Sequence, residues 1–214
     1  MTNLPDSASS TAASPDEQKQ RNTGKRAELI RIGVAILTEK GFYNTPLDEI
    51  VKIAGVPKGS FYYYFKSKDI YTIAVIEAYS NYFIRKLDKH LYNHEQSPLN
   101  RIRSWTEDAG EGLAKYDFKR GCLVGNLGQE LAALDENYRV VLRDVINSWC
   151  KKIQDCLDEA KQVGEISPNA DTAALSKFFW NAWEGAVLYT KLDKSRAALD
   201  LARDAFFSLV QVRS

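Results

Sequence analysis

The 214-residue chain is poor in the residues on which many metal, redox and membrane functions depend. Its three cysteines include no C-x-x-C pair, which disfavours both a structural zinc site and a disulfide framework. The longest nearly apolar run, residues 178–189, is too short to cross a bilayer and is interrupted by Asn181 and Glu184. No apolar segment with a basic flank opens the chain, so we expect a cytoplasmic protein that enters no membrane.

Histidine is equally scarce, with only two residues in the chain. His90 and His94 stand four positions apart, a spacing that can hold a metal on one helix face. No third ligand is evident, and a histidine near a helix C-terminus is favourable without a metal. The sequence therefore predicts no metal site and no cofactor. Cys150 and Cys156 are expected to be ordinary buried or half-buried thiols.

Net charge is also small, at +1, but it is unevenly distributed. Residues 1–18 hold three acids and no bases, and residues 69–214 have a net charge of −2. Residues 19–68 contain ten Lys or Arg and four Asp or Glu, a net charge of +6. Positive charge concentrated in one segment is typical of a surface that binds nucleic acid.

Within that segment, residues 45–68 read T-P-L-D-E-I-V-K-I-A-G-V-P-K-G-S-F-Y-Y-Y-F-K-S-K. Thr45 is a suitable N-cap, Pro46 suits a first helical position and Gly55 suits a helix end. After a turn at Val56-Pro57, a second short helix is expected from residue 58 to residue 64. Two short helices joined by a tight turn predict a helix-turn-helix unit.

Three consecutive tyrosines flanked by lysines are unusual on a protein surface that binds nothing. Lysines neutralise phosphates, tyrosine hydroxyls bond to phosphate oxygens, and small residues allow a helix to approach a groove closely. The residues 58–64 helix is thus the predicted recognition helix. The structural alternative is a small amphipathic hairpin whose aromatic residues belong to an ordinary core.

The stretch from Gly41 to Lys68 resembles the DNA-binding signature of the TetR family of repressors. The resemblance implies an all-α protein with a three-helix DNA-binding domain and a larger helical domain that binds an inducer and forms a homodimer. It implies double-stranded operator DNA and a small molecule as partners. Pro57 departs from the serine cap that is common in the family. Carried over by position, the expected DNA-contacting residues are Thr45, Lys58, Gly59, Ser60, Tyr62, Tyr63, Tyr64 and Lys68.

The rest of the chain reads as helices without strand segments. We expect a disordered tail over residues 1–23, the DNA-binding domain over residues 24–68, and the ligand-binding and dimerisation domain over residues 69–214. Apolar spacing and caps predict helices at 25–40, 68–91, 99–116, 138–163, 171–191 and 197–212, besides the two short ones.

A second informative stretch covers residues 119–134, K-R-G-C-L-V-G-N-L-G-Q-E-L-A-A-L. Gly121, Gly125 and Gly128 share one face of the predicted helix, although each glycine costs a helix interior up to about 1 kcal/mol relative to alanine. Either another helix packs closely against this face, or a ligand bends the helix. Phosphate binding is disfavoured, since no strand precedes the glycines.

Cys122 stands at the start of that helix, directly after Lys119, Arg120 and Gly121. Nearby cations and a helix N-terminus both favour the thiolate, so Cys122 is a candidate reactive residue; the alternative is a packed bystander. The segments R-G-C-L-V-G-N-L-G-Q-E and W-E-G-A-V-L-Y-T-K-L resemble repressors of the same family that respond to acrylate or to electrophiles. This resemblance implies that Cys122 senses the inducer and that Lys191 is a second residue of interest.

The remaining site predictions concern the inducer cavity and the dimer interface. We expect Trp105, Trp149, Trp183 and Asn126 to form cavity walls, and Lys119 or Arg120 to attract a carboxylate. The nearly all-apolar helix at 171–191 and the helix at 197–212 are expected to pair across a two-fold axis. Their predicted dimerisation residues are Phe179, Leu188, Phe206 and Leu209.

A cysteine beside an apolar cavity is also compatible with an enzyme that acts on a small electrophile. Against this alternative, neither histidine has the surroundings of a general base, and no oxyanion-hole motif is visible. The sequence therefore favours a ligand-responsive regulator over an enzyme.

Overall fold

The computed structural model describes residues 15–211 of the chain. This part is all-α and forms nine helices. An isolated bridge between Ile166 and Gln211 is its one β-type pairing. The helices are α1 (Pro15–Lys40), α2 (Leu47–Ile53), α3 (Lys58–Tyr64), α4 (Lys68–Leu91), α5 (Pro98–Ala114), α6 (Leu123–Leu131), α7 (Glu136–Gln162), α8 (Thr172–Asp193) and α9 (Ala197–Val210).

Helix α1 begins earlier than the sequence predicted. The tail expected over residues 1–23 lies outside the described residues as far as residue 14, but the chain is helical from Pro15 onward. The expected start at Lys25 was therefore ten residues too late. Glutamate, glutamine, lysine and arginine, which make up half of residues 15–24, are good helix formers, and α1 runs through this segment although it has no apolar stripe.

The first three helices form the predicted helix-turn-helix domain. Gly41 and Gly55 adopt positive φ values of 78° and 63°, which glycine adopts without steric cost, and these residues turn the chain after α1 and α2. Phe61 and Phe65 point into the core and pack against Tyr71 of α4, with ring centroids 5.2 and 5.0 Å apart. These aromatic contacts fix α3 on the domain and leave its opposite face exposed.

Helix α4 joins this domain to the remaining helices, as predicted. The side chain of Ser67 caps it by accepting a hydrogen bond from the Ile70 amide at 3.1 Å. The helix packs against α1 of the first domain and against α5 and α7 of the second. One continuous helix therefore belongs to both domains.

The second domain encloses a cluster of aromatic rings contributed by α4, α5, α7 and α8. Phe83 stacks on Trp149 with ring centroids 4.1 Å apart, and Trp105 contacts Trp180 at 5.2 Å. Both Trp105 and Trp149 are fully buried. This cluster forms the centre of the domain.

Helices α8 and α9 pack on each other and carry the predicted dimerisation residues. Two of these predictions are wrong, because Phe179 and Phe206 are only 2% and 1% exposed and contact each other at 5.0 Å inside the domain. Leu188 and Leu209 are exposed, as a dimer interface requires. The other exposed large apolar residues of the two helices are Phe178, Tyr189, Leu192 and Leu201.

Candidate functional site

The outer face of α3 presents the predicted recognition residues. Tyr62 and Tyr63 are 50% and 71% exposed, and the side chain of Lys58 is 54% exposed beside Asp48, with which it forms a 2.8 Å ion pair. Gly59 is exposed, and a Cβ at this position would meet no atom within 4 Å. Ser60 and Tyr64 are partly buried along the edges of this face.

This face has hydrogen-bond donors and one ammonium group directed outward. Tyr63 accepts a 3.0 Å hydrogen bond from the Asn22 side chain, so the early turns of α1 lie beside the recognition helix. Pro57 occupies the N-cap position of α3 and makes no side-chain cap bond, which agrees with its departure from the family pattern. The surface is suited to phosphate oxygens and base edges.

Two predicted DNA-contacting residues instead form hydrogen bonds within the protein. Thr45 is fully buried, and its hydroxyl donates to the Gly41 carbonyl at 2.6 Å; it is not the N-cap, since Pro46 takes that position. The ammonium of Lys68 donates to the Phe42 carbonyl at 3.0 Å and lies 3.9 Å from the centre of the Phe42 ring. Both side chains therefore support the α1–α2 loop.

A partly open cavity of about 770 Å³ lies between the two domains and extends to the aromatic cluster. Its walls come from α1, α4, α5, α8 and the segment before α6. Apolar and aromatic residues predominate: Phe83, Trp105 and Trp183 line one end, and Arg120 lies at the wall with its guanidinium 3.9 Å from the Tyr116 ring centre. An apolar cavity with a few polar groups is the usual form of a small-molecule site.

Cys122 lines this cavity and is the N-cap of α6, as predicted. Its sulfur accepts a 3.5 Å hydrogen bond from the Gly125 amide, and the Glu184 carboxyl and the Tyr79 hydroxyl are neighbouring groups that shift its pKa. The expected thiolate is wrong. Burial and the neighbouring Glu184 carboxyl raise the pKa of the Cys122 thiol well above its ordinary value of 9.0.

Glu184 was not predicted as a site residue, yet it is the carboxyl group next to the thiol. Burial raises its pKa from 4.5 to about 7, although the neighbouring Cys122 thiol partly opposes the shift. Gly125 leaves room for it, because a Cβ there would lie 2.3 Å from Glu184 Oε2. One feature of the sequence could have indicated Glu184, because it is an acid within the apolar run of α8. No feature of the sequence indicated Tyr79.

The glycine face was only partly predicted. Gly121 precedes α6 instead of lying on it, and a Cβ there would be 3.3 Å from both the Asn126 and the Lys191 side chains. Gly125 is closely packed, whereas a Cβ at Gly128 would meet nothing within 4 Å. Close packing therefore explains two of the three glycines.

A second cavity, of about 720 Å³, lies between α6, α7 and α8. Asn126 and Lys191 line this cavity and not the first, whereas Cys122 and Glu184 line both. The fold thus brings Lys191 and Cys122 to one cavity, while the Cys122–Glu184 pair stands between the two.

Two of the predicted cavity residues lie elsewhere. Trp149 does not line the first cavity; it stacks on Phe83, which does. Lys119 points outward, 3.6 Å from Asp117. Of the two cations proposed to attract a carboxylate, Arg120 alone lines the cavity, and it forms no ion pair with any described carboxylate.

Helix α6 is also bonded directly to the carboxyl end of α1, and we call these bonds the α1–α6 contact. The Thr38 carbonyl accepts from the Gly121 amide at 2.9 Å and from the Asn126 side chain at 3.0 Å. The Glu130 carboxylate accepts from the Phe42 amide at 2.6 Å. Sequence reasoning missed this contact, because its partners are more than 80 positions apart.

The histidine pair does not assemble into a metal site. His90 lies between Ser104 and Asp108, at 3.0 and 3.3 Å, while His94 is exposed. Residues 15–211 contain no group of three histidine, cysteine or acidic side chains that could hold a metal. Over the same range, no helix combines the length and the apolarity that crossing a membrane requires.

Comparison with known proteins accounts for this combination of helix-turn-helix and cavity domain. Residues 29–70 match the family described as "Bacterial regulatory proteins, tetR family", and residues 98–206 match "Tetracyclin repressor-like, C-terminal domain". The chain belongs to the TetR family. Its α1–α3 unit is the DNA-binding helix-turn-helix of a TetR-family transcriptional regulator.

Several relatives of this TetR-family chain are known. It is 47% identical to the transcriptional regulator AcuR of Cereibacter sphaeroides, over 77% of this chain and 75% of AcuR. It is 29% identical to the repressor DhaR of Mycobacterium sp. over 83% and 88% of the two chains, and 25% identical to the repressor NemR of Escherichia coli over 83% and 89%.

Solved structures agree with the fold. A TetR regulatory protein from Rhodobacter sphaeroides superposes with a TM-score of 0.84 at 43% identity, covering 87% of this chain and 98% of that one. The reduced form of E. coli NemR gives a TM-score of 0.78 at 23% identity, with coverage of 89% and 99%.

Proposed function

We propose that this TetR-family transcriptional repressor binds a palindromic operator as a homodimer and is released by a small inducer that enters the first cavity beside Cys122. The inducer is an acrylate-like acid, an electrophile or an oxidant. The observation that carries the proposal is the position of Cys122, which lines an aromatic cavity while capping the helix that is bonded to the DNA-binding domain.

Operator binding is supported by the exposed face of α3. Tyr62, Tyr63 and Lys58 project from a helix of seven residues, which is long enough to read only one half-site. Specific affinity therefore requires two such helices, held about 34–36 Å apart or a multiple of that distance on one side of the DNA. A homodimer with two-fold symmetry supplies them.

The exposed apolar residues of α8 and α9 support a dimer interface. Phe178, Leu188, Tyr189 and Leu192 lie on one side of α8, and Leu201 and Leu209 are exposed on α9, each of the six between 46% and 72% exposed. Six large apolar side chains on two adjacent helices form a patch that is typical of a protein interface. Two copies of this face make a four-helix interface around a two-fold axis.

The lining of the cavity supports the inducer class. Trp105, Trp183 and Phe83 contact an apolar body, and the Arg120 guanidinium is available to a carboxylate. A conjugated alkene lying against these rings would reach the Cys122 sulfur. The 47% identity to AcuR over 77% of this chain is compatible with a related inducer.

The α1–α6 contact supports a route from the cavity to DNA. An inducer lowers operator affinity only if it binds better to a conformation whose recognition helices no longer fit their half-sites. A group added to Cys122 displaces the N-terminus of α6, and Gly121, Asn126 and Glu130 transmit this displacement to Thr38 and Phe42. Helix α4 provides a second connection.

The proposal is tested by operator release. Wild type, Cys122→Ser and the matched control Cys150→Ser are bound to labelled operator and titrated with acrylate, N-ethylmaleimide and hypochlorite. We expect wild type and Cys150→Ser to be released and Cys122→Ser to stay bound. A Cys122→Ser protein that still responds to acrylate shows reversible binding of that acid in the cavity. If it responds like wild type to all three, Cys122 is a packing residue and the sensing role is wrong.

A further inference from the structure

We propose that Glu184 is the proton acceptor that makes Cys122 reactive towards α,β-unsaturated carbonyl compounds, and that it returns the proton to the adduct. The inference rests on the proposed function, since it takes the first cavity as the inducer site. It adds the residue that permits a covalent response.

The geometry places this acid beside Cys122. Cys122 lies against Gly125, where a Cβ would be 3.6 Å from the Cys122 Cβ, and Glu184 packs against the same glycine. The Glu184 carboxyl occupies the space next to Gly125, where any other residue would place its Cβ 2.3 Å from Oε2. The residue is also the one carboxyl group among the described residues that line either cavity. A single acid thus faces the sulfur from α8.

The thiol needs such a partner. A thiolate is the nucleophilic form of cysteine, but burial and then the charge of the Glu184 carboxylate raise the pKa of Cys122 well above its ordinary value, and the Gly125 amide that donates to its sulfur offsets this only in part. A proton acceptor works best when its own pKa is close to the ambient pH, and the pKa of Glu184 is about 7. The carboxylate form is therefore available beside a thiol that does not ionise unaided.

The reaction is a conjugate addition that balances without a further reagent. The Cys122 sulfur forms a bond to the β-carbon of the unsaturated compound while the S–H bond breaks and its proton passes to the Glu184 carboxylate. The π electrons of the alkene move towards the carbonyl, which gives an enolate. Glu184 then returns the proton to the α-carbon. Nothing is oxidised, and no group leaves.

Other charged or titratable groups line these cavities and contribute to any pH profile. They are Arg31 of α1, Tyr79, Tyr82 and Lys86 of α4, Tyr116 after α5, Arg120 before α6, Arg139 and Arg143 of α7, and Lys191 of α8. None of them is a carboxylic acid, so a titration near pH 7 that disappears with the Glu184 carboxyl is assigned to that group.

The test measures the rate at which N-ethylmaleimide modifies Cys122, by intact mass and peptide mapping, between pH 5.5 and 8. For wild type, we expect the rate to rise with pH and to level off above a midpoint close to 7. Glu184→Gln should react about 100-fold or more slowly at pH 7.5 and lose this midpoint. Glu184→Asp should recover part of the rate. Glu77→Gln, which removes an exposed glutamate of α4, should match wild type.

Three results overturn the proposal: a Glu184→Gln protein that reacts as fast as wild type or faster, one that keeps the midpoint near 7, or a wild type that is never modified at Cys122. A faster variant would show that Glu184 holds the thiol protonated and inert. Operator release is measured separately on the modified protein. Modified wild type that remains on the operator contradicts the proposed switch and leaves the role of Glu184 intact.

Discussion

The Glu130 carboxylate of α6 accepts a 2.6 Å hydrogen bond from the backbone amide of Phe42, at the turn where α1 ends. The same oxygen accepts from the Tyr43 amide at 3.1 Å. Gly41 makes this approach possible, because a Cβ there would lie 1.8 Å from Glu130 Oε1. One side chain from the cavity domain thus binds two amides of the DNA-binding domain.

Weakening this bond should uncouple the two domains. Glu130→Gln removes the charge that strengthens both hydrogen bonds, and bonds to charged groups contribute about 1.5–3 kcal/mol. We expect the ratio of operator affinities without and with N-ethylmaleimide to fall at least about 5-fold, which lies in the usual range of coupling energies. Glu136→Gln, which breaks only an exposed pair with Arg139, is the control. An unchanged ratio would mean that the signal travels by α4 instead.

Removing Tyr62 should abolish specific operator binding. The residue is half exposed on α3 and makes an edge contact with Phe61, so Tyr62→Ala should leave thermal stability nearly intact. The loss of a base or phosphate contact costs about 1–3 kcal/mol at each half-site, measured by titration at fixed salt. Tyr92→Ala removes a similarly exposed tyrosine from the end of α4 and should bind operator normally. Normal binding by Tyr62→Ala would show that α3 is not the recognition helix.

Lys66 and Lys68 should differ in what they contribute. Lys66 is exposed, and Lys66→Ala should lower the slope of log affinity against log salt by about 0.9, the contribution of one phosphate contact. Lys68→Ala should instead lower the unfolding temperature, because its ammonium lies on the Phe42 ring and carbonyl. Salt titrations and melting curves on both variants separate the roles. If Lys68→Ala lowers the salt slope by about 0.9 and leaves the unfolding temperature unchanged, the two assignments are reversed.

A charge on the exposed face of α8 and α9 should give monomers. Leu209 is 58% exposed and Leu201 is 72% exposed, so Leu209→Glu and Leu201→Glu should fold normally, run as monomers in light scattering and lose operator affinity. Phe206→Glu should unfold the domain instead, since it buries an unpaired charge. Wild type that is monomeric at micromolar concentration would contradict the dimer interface.

Glu184 should make stability depend on pH. Its pKa is about 7 when folded and 4.5 ordinarily, so the folded chain retains a proton that the unfolded chain releases. Stability is then greatest below pH 4.5, falls as the pH rises to about 7 and stays constant above it. The total loss is about 3 kcal/mol. Urea unfolding at pH 5 and 8 should show this loss in wild type and not in Glu184→Gln. If the free energy of unfolding changes equally between pH 5 and pH 8 in both proteins, the Glu184 carboxyl is exposed to water.

Local signals predicted the recognition helix and the helix that follows it well. The bounds of α3 and α4 were predicted to the residue, because Ser67, Pro57 and the aromatic spacing of Phe61 and Phe65 act within a few positions of each boundary. Caps and turns are properties of short segments, and a single sequence contains them.

The cavity was predicted less well, because its chemistry depends on residues that are distant in sequence. The cations before Cys122 indicated a thiolate, but Glu184 stands 62 positions later and reverses that expectation through burial. The apolar residues of α8 and α9 could not be divided between core and interface by spacing alone. Phe179 and Phe206 were therefore assigned to the wrong side.

The aromatic cluster gives the protein a built-in optical probe. All four tryptophans of the chain lie in it or at its edge, and Trp105 and Trp183 form cavity wall. The DNA-binding domain contains none. Intrinsic emission excited at the indole band therefore comes from the cavity domain alone. Occupancy of the cavity can be followed without a label, and any change in that emission when operator is added would measure the signal travelling in the reverse direction.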